Sequence, residues 1–315
     1  MVDPSKTIGI MVATFNEEEN VELLYEAIKA TFKTKLAEYG FRILFIDNAS
    51  TDHTRAILRK ICERDKRVLC ILNARNFGAY RSSYHAIVNC PGDAVISLCA
   101  DFQDPPELIP DLVRMWANGN KVVLARKKRS HEGFLKSALR SIYYFLLSLV
   151  HGNNAMRDCT GFGIYDRSIV NKLASIIDPI PFFRGIVSEI ASNFEYLDYV
   201  RPARKHGTTK MNFYRLYEEG IIGITNGTVL PLRLIILVGL LVSVLSVVVG
   251  FSMVVTWFFG IFLYPPGIIP ILIVMLFFFG LVIFLMGTLA EYVGAIYQQV
   301  LARDRVYEDE RINFD

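Results

Sequence analysis

Through residues 1–230, apolar runs of strand length alternate with amphipathic stretches. Five runs read as strands: Thr7–Ala13, Arg42–Asp47, Val68–Leu72, Ala94–Cys99 and Lys121–Ala125. Between them, apolar residues at helical spacing mark helices near Glu17–Lys35, Thr54–Arg64, Gly78–Asn89 and Pro106–Asn118. This βαβα rhythm predicts an α/β fold with a doubly wound, mostly parallel sheet. Such sheets bind ligands at the carboxyl ends of their strands, so the residues just after each strand are the informative ones.

The pattern changes after Arg233. From Leu234 to Ala290 there is no Asp, Glu, Lys or Arg, a charge-free run of 57 residues. A turn signal, Tyr264-Pro265-Pro266-Gly267, divides it into Leu234–Phe259 (26 residues) and Ile268–Ala290 (23 residues). At ~1.5 Å per residue these make helices of about 39 and 34 Å, enough to cross a ~30 Å hydrocarbon core with some tilt. The linker Gly260–Gly267 holds no Lys or Arg, whereas Arg215, Arg233, Arg303 and Arg305 lie outside the spans. That asymmetry predicts a short external hairpin with both chain ends in the cytoplasm. The expected organisation is a cytoplasmic catalytic domain (1–210), a juxtamembrane amphipathic segment (211–233), a two-helix hairpin (234–290) and a cytoplasmic tail (291–315). Gly133–Val150, with Lys136 and Arg140 among large apolar residues, suits a helix lying in the membrane interface.

Composition agrees with an anchor. Of 315 residues, 52% are hydrophobic and 21% charged, and mean hydropathy is +0.34. These values exclude intrinsic disorder and a wholly soluble protein. A net charge of +3 is too small to argue for nucleic acid. The five cysteines, an odd number without a C-x-x-C pair, read as reduced cytosolic thiols. No basic region precedes an apolar stretch at the N-terminus, so no cleaved signal peptide is expected. The location expected is the plasma (inner) membrane.

The residues after the strands are unusually polar. They are Thr14-Phe15-Asn16-Glu17-Glu18-Glu19-Asn20, Asp47-Asn48-Ala49-Ser50-Thr51-Asp52, Asn73-Ala74-Arg75-Asn76-Phe77-Gly78, Ala100-Asp101-Phe102-Gln103-Asp104-Pro105-Pro106-Glu107 and Arg126-Lys127-Lys128-Arg129. Taken singly, Asn16, Asp52 or Asp104 could be a helix cap. Five such segments on one sheet edge point to a site. No G-x-G-x-x-G follows the first strand, and no G-x-x-x-x-G-K-[ST] occurs anywhere. A diphosphate would therefore be held by a metal and basic side chains. Asp101 and Gln103 offer hard oxygen ligands for Mg²⁺ or Mn²⁺, and Arg126 offers a phosphate fork.

T-F-N-E-E-E-N, I-D-N-A-S-T-D, A-R-N-F-G and A-D-F-Q-D-P-P-E, in this order, resemble the family-2 glycosyltransferases of the GT-A (Rossmann-like) fold. Further on come Phe183-Arg184-Gly185, then Arg204 to Met211 (R-K-H-G-T-T-K-M), then Pro231-Leu232-Arg233 ahead of the two spans. Together these resemble the polyisoprenyl-phosphate glycosyltransferases, a branch that includes bactoprenol glucosyltransferases and, more distantly, dolichol-phosphate mannose synthases. The resemblance implies a nucleotide-sugar donor, a polyprenyl phosphate acceptor in the bilayer, and a homo-oligomer. It places Ala13, Phe15, Glu17, Ile46, Asp47, Asn48, Asn76, Ala100, Asp101 and Arg126 around the nucleotide sugar. Asp101 and Gln103 would hold the metal, and Arg184, Arg204 and Lys210 would contact phosphate or the lipid phosphate. Asp101, Asp104 and Asp158 are the catalytic candidates.

Three positions depart from the family pattern. Cys99 stands where relatives begin D-A-D, and Asn48-Ala49 where they have D-G in D-D-G-S. Gly161 occupies the place of an acid proposed elsewhere as catalytic base, with Asp158 three residues earlier as a substitute. A processive polysaccharide synthase is disfavoured, since no Q-x-x-R-W motif occurs and the only tryptophans are Trp116 and Trp257. Cys99 and Gly161 motivate one reading of another class, a membrane-anchored sugar-nucleotide-binding scaffold without activity.

Overall fold

The computed structural model describes residues 6–128, 159–176, 178, 181–191, 193–200, 202, isolated positions between 237 and 259, 268–300 and 306–314. The chain forms two compact units, Met1–Glu218 with Ala302–Asp315, and Glu219–Leu301.

The first unit is built on one eight-stranded sheet in the order β7-β5-β6-β4-β1-β2-β3-β8. Its strands are β1 (Thr7–Thr14), β2 (Gly40–Asp47), β3 (Val68–Asn73), β4 (Ala94–Cys99), β5 (Val122–Lys127), β6 (Cys159–Asp166), β7 (Glu195–Tyr199) and β8 (Glu308–Ile312). The helices are α1 (Val21–Lys35), α2 (Thr54–Arg64), α3 (Ala79–Asn89), α4 (Ile109–Ala117), α5 (Arg167–Ser175) and α6 (Phe183–Ile190). A 3₁₀ turn, Pro106–Leu108, leads into α4. The first five strands match the expected ones to within two residues at each end, and the parallel pairing of β1 with β2 and β4, and of β2 with β3, bears out the doubly wound sheet. β6 is antiparallel to both β4 and β5, which leaves β5 running the same way as β4.

Strand periodicity sorts the apolar residues into two layers. Ile8, Ile10 and Val12 of β1 pack with Leu24 and Ile28 of α1, Leu58 and Ile61 of α2, and Leu112 of α4. Met11, Leu44 and Ile46 belong to the other layer with Tyr84 and Ile87 of α3, Ile169 and Leu173 of α5, and Val187 of α6. Each of these large side chains is worth ~1.5–3 kcal/mol when buried, so the two layers fix the strand register that assembles the site. Gly9 shows how close the packing is: a Cβ there would lie 2.0 Å from the Pro91 carbonyl oxygen.

α1 begins at Val21, four residues later than its sequence pattern implies. The chain turns at Asn16 (φ 55°), and the Glu17 N–H bonds the Thr54 hydroxyl at 2.9 Å. The tail also differs. A single helix, α7, spans Ile268–Val300, ten residues beyond the expected second span. Residues 308–312 then form β8, which pairs antiparallel with β3 (Cys70↔Ile312, Leu72↔Glu310). Taken over the described residues, no helix is long and apolar enough to cross a membrane. Most of Leu234–Phe259 lies outside those residues, as do Gly133–Val150 and residues 211–233. All five cysteines are free thiols, and only Cys99 is exposed.

Candidate active site

The sheet order reverses at β1. The chain steps from β1 out to β2 and β3, then returns to place β4 on the other side of β1. Such a switch point opens a crevice at the carboxyl ends of the strands. The register brings the expected residues together there: Ala13 lies opposite Ile46 on one side and Cys99 on the other, and Thr14 opposite Asp47. The Asn48 and Ala100 N–H groups extend the pairing to the carbonyls of Thr14 (3.0 Å) and Ala13 (3.3 Å).

Asp47 is fully buried. Its Oδ2 accepts from the Ser50 N–H at 3.1 Å and from Arg55 Nε at 2.7 Å, while its Oδ1 is buried without a hydrogen-bond partner. Arg55 also donates from Nη2 to the Asn73 carbonyl at the end of β3. Sequence reading missed Arg55, although a signal exists. A cation in the first turn of α2 opposes the helix dipole and needs a local anion to hold it there.

Asn48 is a structural hub. Its Oδ1 accepts from the Phe77 N–H (2.9 Å), the Ser82 hydroxyl (2.8 Å) and Asn73 Nδ2 (3.2 Å). A backbone N–H can only donate, so this atom must be the oxygen. Its Nδ2 donates to Asn76 Oδ1 at 2.9 Å, and Asn76 Oδ1 also accepts from the Gly78 N–H at 2.9 Å. Asn48 and Asn76 thus hold the pocket wall, and of the pair Asp47-Asn48 it is Asp47 that retains a free acceptor. Ala49 next door has φ 61°, a left-handed conformation that explains why glycine suits this place in D-D-G-S.

The loops after β1 and β2 are stitched to each other. Asn16 accepts from the Thr51 N–H at 2.8 Å and donates through its own N–H to the Ser50 hydroxyl at 2.8 Å. Asp52 accepts from the Glu18 N–H (3.3 Å) and the Thr54 N–H (3.0 Å). Burial opposes ionisation of Asp52, but the bonds from Thr54 and Glu18 outweigh it and leave its carboxyl below the usual range. Glu17 Oε2 accepts from Asn20 Nδ2 at 2.6 Å. Phe15 sits half-buried between Thr14 and Asn16.

After β4, Asp101 is 7% exposed and its Oδ1 accepts from the Gln103 N–H at 3.1 Å. Phe102 between them has φ 59°. Asn16, Ala49 and Phe102 therefore put left-handed, non-glycine backbone at the ends of β1, β2 and β4, where strain of ~1–3 kcal/mol per residue persists only if the surroundings enforce it. Asp104 is buried, accepting from the Cys99 N–H at 3.1 Å, with the Tyr199 hydroxyl 3.5 Å away. These bonds tie the turn closed. Among the described residues no three His, Cys, Asp or Glu side chains cluster to hold a metal. Asp101 and Gln103 fit instead the sparse protein share of a Mg²⁺ or Mn²⁺ site whose other ligands are substrate phosphates and water.

The far side of the edge is basic. Arg126 lies opposite Cys159 in the β5–β6 register, and Arg184, at the start of α6, donates to the Cys159 carbonyl at 3.3 Å. Arg126 forks onto Asp198 of β7 (2.7 and 3.2 Å) and stacks 4.7 Å from the Tyr196 ring centroid. Gly161, on the irregular first turn of β6, has φ 99°. An L side chain there would be strained whatever the space, so this backbone is not shaped to carry an acid. Asp158, Arg204 and Lys210 lie outside the described residues.

A sheet of GT-A-like topology with an acidic turn at its switch point, after β4, defines the fold class, and sequence comparison gives the family. Residues 9–174 match the family "Glycosyl transferase family 2", and the chain belongs to that family. It is 31% identical over 302 residues to a bactoprenol glucosyl transferase of Shigella phage SfX, covering 95% of this chain and 97% of the relative. It is 30% identical over 300 residues to a prophage bactoprenol glucosyl transferase homolog of Escherichia coli strain K12, covering 95% and 97%. The fold is similar to glucosyl-3-phosphoglycerate synthase from Mycobacterium tuberculosis, solved with Mn²⁺, UDP and phosphoglyceric acid. The TM-score is 0.51 at 16% identity, over 70% of this chain and 76% of that one.

Proposed function

We propose that this glycosyltransferase is membrane-anchored and inverting, and moves a hexose from a UDP- or GDP-sugar to polyprenyl phosphate. The observation that carries the reading is the register placing Ala13, Asp47 and Asp101 on one edge, with Arg126 and Arg184 flanking Cys159 beyond. The base would lie against the ends of β1 and β2, where Ala13 pairs with Ile46 and Thr14 with Asp47. Arg126 would leave Asp198 for the donor diphosphate, and Arg184 would take the acceptor phosphate. A divalent cation bound at Asp101 and Gln103 would offset the charge of the departing diphosphate.

The reaction is a single displacement. A phosphate oxygen of the acceptor bonds the anomeric carbon while the bond to the nucleoside diphosphate breaks, and that group leaves with both electrons. A phosphate monoester is already anionic near pH 7, its second pKa being about 6. It needs no side chain to take a proton, so glycine at position 161 is compatible with this acceptor and would not be with a sugar hydroxyl. Orienting two anionic partners becomes the main catalytic task.

The anchor is supported by the charge-free run of 57 residues and by exposed apolar side chains on α7, among them Ile271, Phe277, Phe279 and Met286. Topology adds a constraint. β8 follows that run in the chain yet pairs with β3 in the same sheet, so the segment between must cross a bilayer an even number of times. Two spans satisfy this and keep both ends on the cytoplasmic side. The bactoprenol named for the relatives agrees with a lipid acceptor. Cys99, standing where a second carboxylate is expected, keeps an inactive sugar-nucleotide-binding scaffold as the competing reading.

The test is purified full-length protein with polyprenyl phosphate and a panel of radiolabelled UDP- and GDP-sugars. One donor should give an organic-extractable glycolipid, and Asp101→Ala should lower its rate by about 10²–10³-fold. Nucleotide binding without glycolipid from any donor would leave only the scaffold.

A further inference from the structure

β8 enters the sheet after the apolar segment and docks against the strand that carries the pocket wall. The Ala74 N–H donates to the Tyr307 carbonyl at 2.9 Å, and the Tyr307 ring meets Phe77 with centroids 6.1 Å apart. Phe77 and its neighbour Asn76 are the residues that hold Asn48. Two residues on, Asp309 Oδ2 lies 3.5 Å from Arg55 Nη1, and Arg55 holds Asp47 and the Asn73 carbonyl. The strand itself is secured elsewhere, by Glu310 on Arg59 (2.7 Å) and by Asn313 Nδ2 on the carbonyls of Cys62 (2.8 Å) and Val68 (2.7 Å).

We propose that Tyr307 and Asp309 are positioning residues for donor binding. Resting on the donor site proposed above, they fix the Asn73–Gly78 loop and Arg55 so that Asp47 and Asn48 are set before nucleotide arrives. Without their contacts the loop after β3 would have to be ordered on binding, at the expense of affinity. Tyr307 acts through Phe77 and Ala74, not on substrate. Only residues 301–305 separate it from α7 with Val306, so the wall of the donor pocket is covalently close to the proposed membrane helix. Sequence pattern alone assigns this segment to a tail.

The test is nucleotide binding to the full-length protein in detergent by calorimetry, together with KM for donor and for polyprenyl phosphate. Tyr307→Ala should raise the Kd of the nucleotide bound by wild type about five- to tenfold and donor KM in parallel, with acceptor KM within about twofold. Tyr307→Phe, which keeps the ring, should restore wild-type binding. Tyr307→Leu serves in the same way if the alanine variant does not fold. A Kd unchanged in the alanine or leucine variant, a phenylalanine variant that fails to rescue, or donor and acceptor KM rising together would overturn the positioning role. Wild-type protein that binds neither UDP nor GDP would instead refute the proposed function, and this role with it.

Discussion

The two sides of the strand-end crevice are built differently. At the ends of β1, β2 and β3, Asp47 and Asn48 are buried and held by other residues, Asp47 by Arg55 and Asn48 by four partners, and the loops above them are tied by partly exposed bonds from the Thr51 N–H to Asn16 and the Glu18 N–H to Asp52. At the ends of β5, β6 and β7 the chief charged contact, Arg126 with Asp198, is a surface pair with both side chains about two-fifths exposed. A surface fork can be exchanged for another anion at little cost, whereas a buried one cannot. The first side is suited to recognising a rigid base and ribose. The second is suited to receiving phosphates that come and go.

The largest effect of breaking this contrast is expected at Arg55. Arg55→Ala leaves the Asp47 carboxylate buried with its main counter-charge gone, and should cost about 3 kcal/mol or more of stability in chemical denaturation. Adding Asp47→Asn should recover much of that loss, since the uncompensated charge is removed. An Arg55→Ala protein as stable as wild type would mean that the wall is not held in this way.

A second test is acid. Asp65 accepts from the Arg67 fork and the Tyr25 hydroxyl. The Arg67 hydrogen bond, joined by that of Tyr25, outweighs burial and holds its carboxyl down to about 2 from an ordinary 3.8. A depressed folded-state pKa contributes stability that is complete above the unfolded value and lost as pH falls toward the folded one. Stability should therefore decline between about pH 4 and 2, and Asp65→Asn should flatten that decline while costing roughly 1–3 kcal/mol at neutral pH. Asp198 is lowered too, by the Arg126 bond, but Asp198→Asn should leave the acid profile unchanged because an exposed pair carries little stability. The smallest effect is at Ala49. With φ 61°, Ala49→Gly should relieve backbone strain and raise stability by at most about 1 kcal/mol, offset in part by the entropy of the unfolded chain.

The elements from β1 to β5 were readable from sequence because these strands are largely apolar and are followed by polar turns. β1 to β5 and α2 to α4 fall close to their expected limits. The later strands were not, for physical reasons that differ by strand. β6, Cys-Thr-Gly-Phe-Gly-Ile-Tyr-Asp, is interrupted by two glycines and bulges against β5. β8, Glu-Asp-Glu-Arg-Ile, has one apolar residue in five. It is held by charges: Glu310 on Arg59, Glu308 on His85, Asp309 near Arg55. Hydrophobic periodicity has nothing to register there. At the strand ends, the polar residues Asp47 and Asp101 were legible from the apolar runs that precede them, whereas Ala13 and Ile46, within β1 and β2, were named through the family resemblance. Arg55 was not, because its partner is eight residues away across a loop; Asp104 is buried and bonds the Cys99 N–H at the start of the turn that carries Asp101.

The division between a preformed nucleotide side and an exchangeable phosphate side is tested most directly by steady-state kinetics of Arg184→Ala with both substrates varied. The account predicts an acceptor KM raised about tenfold, with donor KM within about twofold of wild type. An unchanged acceptor KM, or a loss confined to the donor, would contradict it.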